Sequence, residues 1–278
     1  MSKQDICSLN YEEIQEEMKR IGEKAFRGRQ IYEWLHVKLA DDFSQMTNLS
    51  KSLREKLEAH YEIPKLHVAA HQISRKDPTE KFLFELSDGN MIESVLMKYE
   101  YGNSVCISSQ AGCRMGCRFC ASTIGGLKRN LATSEMLRQI YQVQKISGER
   151  VSNIVIMGTG EPLDNYENFV KFLHMISDEH GLHISQRSIT ASTCGIVPKM
   201  HELAEEGLQI TLALSLHGSS QEKRRELMPV ANKYALPKVL EACDHYFEKT
   251  GRRVTFEYSL VKGVNDREED IRGLTGIL

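Results

Sequence analysis

The sequence has few prolines and no long apolar run. Six prolines among 278 residues and a hydrophobic content of 41% are typical of a folded globular chain with a sizeable core. No apolar run approaches the roughly 20 residues that a membrane-spanning helix requires, and residues 1–20 lack the apolar segment of a signal peptide. We therefore expect a cytoplasmic protein without a membrane partner, built as one large domain or two smaller ones.

The chain also lacks an excess of charge of either sign. Its 36 basic and 38 acidic residues leave a formal net charge of −2, so contact with RNA or DNA would need a local basic patch. The span 19–38 is a candidate, because six basic against two acidic residues give +4 beside Tyr32 and Trp34. A solvated basic helix face that packs on its own aromatic rings explains this pattern equally well.

Seven cysteines are present, but they do not form the pattern of a disulfide framework. Three of them are isolated in the sequence and are interpreted as buried or spare thiols: Cys7, Cys194 and Cys243. The other four lie within a short segment: Cys106, Cys113, Cys117 and Cys120. Such crowding points to a chemical role for the second group.

Three interpretations of Cys113, Cys117 and Cys120 compete. A structural zinc site normally has four protein ligands, but there is no second C-x2-C pair and no histidine in the fifty residues after Cys120. A redox pair formed by Cys117 and Cys120 would leave Cys113 unexplained. An iron–sulfur cluster held by three thiolates leaves one iron open to a small molecule. The spacing favours the cluster over zinc, and the Arg and Gly flanks disfavour three unrelated core cysteines.

From residue 104 onward, strand-like and helix-like segments alternate. The predicted strands are 104–110, 153–158, 188–193, 210–216 and 254–260. The predicted helices are 134–147, 166–179, 197–207, 236–251 and a last one that begins at 267. Five βα units predict a parallel sheet with right-handed crossovers.

Polar or glycine-rich segments follow the predicted strands. They are the cysteine loop, "GTGEP" (158–162), "STCG" (192–195) and "SLHGSS" (215–220). Each segment alone could be a turn, a cap or a core histidine. Because ligands bind at the carboxyl ends of parallel strands, the four together predict one site. By the period of two, Cys106, Ser108 and Gln110 should share one face of the first strand.

The N-terminal region has a different pattern. Residues 1–60 predict three helices, of which the first should begin at the N-cap Asn10 with Glu13 as its capping-box partner. Residues 63–103 predict short strands around "SDGN" (87–90), a hairpin signal.

Several motifs carry a resemblance to a known family. The motif C-x3-C-x-Phe-C at 113–120 resembles the cluster loop of radical S-adenosylmethionine (SAM) enzymes, and "MGTGEPLDNY" (157–166) resembles their Gly-Glu-Pro segment. More narrowly, the chain resembles the RlmN/Cfr family of radical SAM RNA methyltransferases along nearly its whole length. The segments that carry this are "IESVLMKY" (92–99), "VCISSQAGCRMGCRFCAST" (105–123), "GTGEPLDN" (158–165), "ITASTCGIVP" (189–198), "LALSLHG" (212–218), "ELMPVANKY" (226–234) and "EYSLVKGVND" (257–266).

This resemblance implies an architecture. The expected fold class is α/β: a partial (β/α) TIM-like radical SAM barrel with a small N-terminal helical domain and a short β-hairpin connector. The expected boundaries are 1–62 for the helical, RNA-binding domain, 63–103 for the connector and 104–278 for the barrel.

The resemblance also implies a reaction, methylation of an adenine carbon of 23S rRNA, with tRNA open as a second substrate. "GTGEPLDN" favours the branch that modifies C2 over the Cfr branch, which modifies C8. C2 lies between two ring nitrogens and is a poor nucleophile, so the family uses a radical and a methyl-cysteine intermediate rather than ordinary methyl transfer. The expected partners are the RNA and an electron donor such as flavodoxin or ferredoxin, and the expected state is a monomer. Cfr-like C8 methylation and a zinc-bound, non-catalytic RNA-binding module are the alternatives.

Roles for individual residues follow from the resemblance alone. The expected ligands of a [4Fe–4S] cluster are Cys113, Cys117 and Cys120. The expected SAM contacts are Gly160, Glu161, Ser192, Ser215, Leu216 and His217. The expected catalytic residues are Glu93, a proton acceptor, and Cys106, which helps to release the product by forming a disulfide.

In one respect the chain departs from the family pattern. It ends at Leu278 without the "ACGQL"-like segment that carries the methyl-bearing cysteine, and without the sixth strand and its SAM-contacting asparagine. The expectation is therefore a C-terminally truncated chain that binds the cluster and SAM but does not methylate RNA.

Overall fold

The computed structural model describes residues 3–277. The helices within this range are α1 (Tyr11–Arg20), α2 (Phe26–His36), α3 (Lys51–His60), α4 (Thr133–Ser147), α5 (Tyr166–Ser177), α6 (Val197–Glu205), α7 (Gln221–Leu227), α8 (Leu236–Thr250) and α9 (Glu268–Ile277). The strands are β1 (Gln4–Asp5), β2 (Tyr61–Glu62), β3 (His67–Ile73), β4 (Thr79–Glu85), β5 (Met91–Tyr99), β6 (Gly102–Cys106), β7 (Gln110–Ala111), β8 (Arg129–Asn130), β9 (Val151–Ile156), β10 (Ile189–Thr193), β11 (Thr211–Ser215) and β12 (Thr255–Glu257). In this described part of the chain, none of the helices has both the length and the apolar character needed to cross a membrane.

The chain divides into two compact units. The first contains the residues up to Val105 together with Leu131–Asn153 and Glu167–Ser185. The second contains Cys106–Asn130, Ile154–Tyr166 and the residues from Gln186 onward.

The first unit begins with the three predicted helices. The predicted capping box of α1 is confirmed: the Glu13 amide donates to Asn10 Oδ1 over 2.9 Å, and the Asn10 amide donates to Glu13 Oε2 over 2.7 Å. These two bonds satisfy amide groups that have no partner within the helix. Glu13 also pairs with Lys171 of α5 at 2.6 Å, which ties the N-terminal helices to the rest of this unit.

An antiparallel meander of β3, β4 and β5 completes the first unit, and β6 lies beside β5. The predicted hairpin turn at residues 87–90 is confirmed, because it joins β4 to β5 and the Leu86 amide donates to the Asn90 carbonyl at 2.9 Å. Asp88 accepts from the Asn90 amide at 3.0 Å and so fixes the turn.

Of Tyr32 and Trp34 in the basic span 19–38, only Trp34 is accessible to RNA. Tyr32 is fully buried and packs edge-on against Tyr11, with ring centroids 5.4 Å apart. Trp34 is partly exposed, with the Lys38 ammonium 4.3 Å from its ring centre. The two residues differ because their positions in α2 place Tyr32 on its buried face.

Four parallel strands, in the order β9-β10-β11-β12, form the centre of the second unit, to which β9 contributes its second half from Ile154 onward. The predicted helices between and after the later strands are present as α6, α8 and α9, with a further short helix α7 after β11. Helix α8 has proline in its first turn and ends at Gly251, whose φ of 64° is left-handed. The predicted parallel βα arrangement is therefore confirmed, and it places the ends of these strands along one edge.

The predicted first barrel strand ends earlier than expected. It was predicted to run to residue 110, but β6 ends at Cys106, and Ser108 and Ser109 turn to bind the loop after β9. The Ser109 amide donates to the Thr159 carbonyl at 2.9 Å, and the Thr159 amide donates to Ser108 Oγ at 2.9 Å. The expectation that Cys106, Ser108 and Gln110 share a strand face is therefore wrong, because the backbone leaves the strand to make these bonds.

Candidate active site

A cavity of about 270 Å³ lies in the second unit, at the carboxyl ends of its parallel strands. Most of the residues expected to bind the cluster and SAM line it: Cys113, Cys117, Cys120, Gly160, Glu161, Ser192, Ser215 and His217. The convergence of the strand ends, which the sequence predicted, therefore holds for these side chains.

The three cysteines of the loop line one wall of this cavity. Cys113 and Cys117 are buried, and Cys120 is partly exposed. Burial, followed by the repulsion of neighbouring thiolates at Cys113 and Cys120, raises the pKa of the Cys117 thiol to about 12. Thiolates can exist together here only with a positive partner such as iron.

A zinc site and an iron–sulfur cluster require different spacings of their thiol ligands. Among residues 3–277, no three His, Cys, Asp or Glu side chains converge closely enough to hold a single metal ion. In a four-iron cluster each thiolate binds a different iron atom, so the three sulfur atoms lie further apart than around one zinc ion. Three cysteine thiols in one loop suit a four-iron cluster by their chemistry, and zinc stays the alternative.

The loop after β9 approaches residues 107–110 so closely that it needs glycine. A Cβ atom on Gly158 would lie 2.8 Å from the Ile107 carbonyl oxygen, and one on Gly160 would lie 2.6 Å from Gln110 Cβ. Gly160 also has a φ of 111°, which only glycine adopts readily. These two glycines therefore fix the backbone that carries Glu161 into the cavity.

Glu161 is a buried carboxylate that is bound by backbone amides and by the side chains of Thr193 and Cys194. Its side chain accepts from the Cys194 amide at 2.7 Å and from the Leu163 amide at 3.1 Å. Within the described range 3–277, no lysine or arginine forms an ion pair with it. Burial raises the pKa of its carboxyl group above the usual range, because the anion has lost its water. A cation that entered the cavity would find this carboxylate available.

Polar side chains from three adjacent strand ends form a chain of hydrogen bonds on another wall. Ser192 Oγ lies 3.1 Å from Ser215 Oγ and donates to Glu257 Oε2 over 3.2 Å. Glu257 lines the cavity but was not among the predicted site residues. No sequence signal pointed to it, because Glu257 lies in the middle of the predicted strand 254–260, and only the structure ends that strand at Glu257.

His217 has an unusual backbone and a defined tautomer. Its φ of 50° lies in the left-handed region, its Nδ1 accepts from the Ser259 amide at 3.0 Å, and its ring packs edge-on against Phe119 at 4.8 Å. Burial, followed by the charge of Arg224, lowers the pKa of His217 to about 4. The ring is therefore neutral at pH 7, and with Nδ1 accepting, its proton is on Nε2.

We expect H217N to reduce the pH dependence of stability between pH 6.5 and pH 4. The folded-state pKa of His217 lies below its unfolded value, so the folded state binds fewer protons in this window and loses stability as the pH falls. The loss is at most about 3 kcal/mol and smaller where water screens the charge. Asparagine does not titrate, tolerates a left-handed φ and offers Oδ1 as the acceptor for Ser259.

Urea unfolding at several pH values measures this effect. The matched control is H183N, because His183 also has a left-handed φ of 53° but is exposed. The assignment is wrong if H217N keeps the full slope of the wild-type protein.

The remaining predicted residues are placed elsewhere. Glu93 lies on β5 in the first unit and pairs with Lys81 at 2.7 Å. Within residues 3–277, Cys106 and Leu216 are not among the cavity-lining residues. Burial raises the pKa of Cys106 to about 11, so its thiol is protonated at pH 7. All seven cysteines of the described chain are free thiols, so the expected disulfide is not present among them.

Two family-level comparisons match complementary parts of the chain. Residues 4–63 match the ribosomal RNA large subunit methyltransferase N-terminal domain. Residues 107–274 match the radical SAM superfamily.

Individual relatives match along nearly the whole chain. A protein of Lachnoclostridium phytofermentans named probable dual-specificity RNA methyltransferase RlmN is 65% identical, with 99% of this chain and 78% of the relative covered. One of the same name from Clostridium perfringens (strain SM101) is 53% identical over 99% of this chain and 79% of its own length. Among solved structures, a radical SAM methyltransferase from Sphaerobacter thermophilus has a TM-score of 0.94 at 38% identity, with 99% of this chain and 82% of that chain covered.

Proposed function

Because the chain belongs to the radical SAM superfamily and, within it, to the family of dual-specificity RNA methyltransferases called RlmN, we propose that it methylates C2 of an adenine in 23S rRNA and in tRNA. One observation carries the proposal. Three cysteine thiols and a buried carboxylate without a cationic side-chain partner line the same cavity.

The side chains of the cysteine loop suit a [4Fe–4S] cluster. Cys113, Cys117 and Cys120 supply three thiolates, which leaves one iron for SAM. Thr123 Oγ1 donates to the Cys120 carbonyl at 2.9 Å, and the Cys120 amide donates to the Cys117 carbonyl at 3.1 Å, so the loop is held from within. When bound, such a cluster supplies the electron that cleaves SAM and starts radical chemistry.

Other residues that line the cavity suit SAM itself. Glu161 offers a desolvated carboxylate to the amino group of SAM, and an ammonium there would offset the cost of burying that carboxylate. Gly160 keeps the backbone beside it open. Ser192, Ser215 and Glu257 offer hydroxyl and carboxylate groups to the hydroxyls of the ribose, and the ring of His217, neutral at pH 7, adds a polar contact without a charge. The buried Leu216 donates its amide to the Glu257 carbonyl at 2.9 Å and thus positions this wall.

Two residues are proposed to complete the reaction. Cys106 would help to release the product by forming a disulfide, for which its thiol must first lose its proton, because its pKa is about 11. Glu93 is proposed as the proton acceptor, as the family resemblance predicts. The cytoplasmic location, the electron donor such as flavodoxin or ferredoxin, and the monomeric state also stay predictions.

Electron paramagnetic resonance tests the first half of this proposal. Anaerobically reconstituted and reduced protein should give a cluster signal that changes when SAM is added, because SAM binds the open iron. Bound zinc without sulfide would instead favour the non-catalytic RNA-binding module.

Mass spectrometry of the nucleosides from treated 23S rRNA and tRNA tests the second half. A methyl group on adenine C2 is the product expected from the proposed function, and it would also show that the expectation of a chain that does not methylate RNA is wrong. Methylation of C8 would favour the Cfr-like alternative and contradict the proposed position.

A further inference from the structure

Arg224 is a fully buried arginine beside the candidate active site. It lies on α7, and its side chain is among the largest with no exposure at all. Its Nη2 donates to the Cys194 carbonyl at 2.7 Å and to the Ser215 carbonyl at 3.2 Å. The guanidinium therefore joins the carboxyl ends of β10 and β11, where two residues of the cavity wall are located.

Helix α7 is also attached to the cysteine loop. The Arg118 amide donates to the Leu227 carbonyl at 2.9 Å, one residue after Cys117. Cys117 packs in a buried cluster with Cys194, Leu227 and Met228. Helix α7 therefore contacts the cysteine loop at Leu227, about one helical turn after Arg224.

The charge of Arg224 has no acidic partner in the described part of the chain. Its charge lowers the pKa of His217, and no carboxylate is among the groups that shift the pKa of Arg224 itself. Those groups are the thiols of Cys194, Cys117 and Cys243. Its Nε and Nη1 atoms are buried and make no hydrogen bond to any residue within 3–277. A buried cation without a counter-charge is costly, and the two carbonyl contacts use only one of its three nitrogens. An anionic group nearby would offset this cost and would account for an arginine at this buried position.

We propose that Arg224 is the buried counter-charge of the iron–sulfur cluster and raises the reduction potential of that cluster. The inference rests on the proposed function, because it requires the cluster on Cys113, Cys117 and Cys120. A cluster bound by thiolates gains one more negative charge when it is reduced by one electron. A fixed positive charge favours that reduced state, so Arg224 acts as a positioning and electrostatic residue, not as a ligand.

A redox titration with dithionite, followed by electron paramagnetic resonance, tests the inference on the reconstituted protein. In R224Q the amide keeps a donor for the carbonyls, but the charge is lost. We expect the equilibrium constant for reduction to fall about tenfold, which is the effect of removing a unit charge at about 12 Å in a medium of effective dielectric constant about 20. This corresponds to a potential about 59 mV more negative for one electron. R224K keeps the charge and should keep the potential.

R252Q is the matched control. Arg252 is also an arginine of the second unit with a buried Nε that makes no hydrogen bond within residues 3–277, but it binds Thr211, at the opposite end of β11 from Ser215. Its replacement should leave the potential unchanged.

The outcomes separate the two proposals. A wild-type protein that takes up no cluster refutes the proposed function. A wild-type cluster whose potential is unchanged in R224Q refutes the role of Arg224 and leaves it as a structural tie between two strands. If R224Q does not fold, R224K decides the question, because a tenfold fall in its reduction constant would also refute a role based on charge.

Discussion

C117S is expected to lose the cluster almost completely. Cys117 is the middle cysteine of the loop, and its thiol is buried against Cys194, Leu227 and Met228. Serine preserves the shape of the side chain, but its hydroxyl does not ionise readily and binds iron poorly. Iron content after anaerobic reconstitution should fall from about four atoms per chain to below one. The change of the resonance signal on adding SAM should disappear with it.

C243S is the matched control for this experiment. Cys243 on α8 is also buried, and burial raises its pKa to about 12 as it does that of Cys117. Cys243 does not line the cavity formed by the described residues, so C243S should retain iron and sulfide. Full iron content in C117S, or equal losses in the two variants, would contradict the assignment of Cys117 as a ligand.

Local sequence signals were sufficient for most of the helices and strands. Asn10 with Glu13 predicted the start of α1, and "SDGN" predicted the β4–β5 hairpin. These signals depend on a few neighbouring residues, because caps and turns are local hydrogen-bonding arrangements. They could be read without knowing what each element packs against.

Structural features that depend on residues far apart in the sequence could not be predicted from local patterns. The end of β6 is set by bonds from Ser108 and Ser109 to Thr159, about fifty residues later. An alternating pattern near Cys106 continues past that point, so periodicity alone predicted a longer strand. In the same way, Tyr32 and Trp34 are close in sequence, but only the fold shows that Tyr32 is buried.

The same distinction between local signals and distant contacts applies to the residues of the site. Cysteine spacing and the resemblance of the loop predicted Cys113, Cys117 and Cys120, and the resemblance of the segment after β9 predicted Gly160 and Glu161. All five line the cavity. Glu257 was missed, because its hydrogen bond to Ser192 joins residues 65 positions apart. Arg224 was missed because an arginine among the charged residues of α7 is typical of an exposed helix face.

E161Q is expected to weaken SAM binding by at least about 30-fold. The proposed partner of Glu161 is the amino group of SAM, and a neutral amide cannot replace a carboxylate opposite a buried ammonium. Removing one partner of a buried charge pair costs about 2–5 kcal/mol, and the lower value corresponds to this factor. Equilibrium dialysis of SAM against the reconstituted protein under anaerobic conditions measures the affinity. E161D, which keeps the charge on a shorter side chain, should lose less.

The pH dependence of the same affinity provides an independent check. Burial raises the pKa of Glu161, so lowering the pH protonates this carboxyl group earlier than an exposed one and should weaken SAM binding in the wild-type protein. E161Q should lack that dependence, whereas E241Q, at an exposed glutamate of α8, should behave like the wild type. Since glutamine leaves one of the amides of Leu163 and Cys194 facing another donor, thermal unfolding must first show that E161Q is folded. Wild-type SAM affinity in a folded E161Q would mean that Glu161 only organises the loop and that the amino group of SAM binds elsewhere.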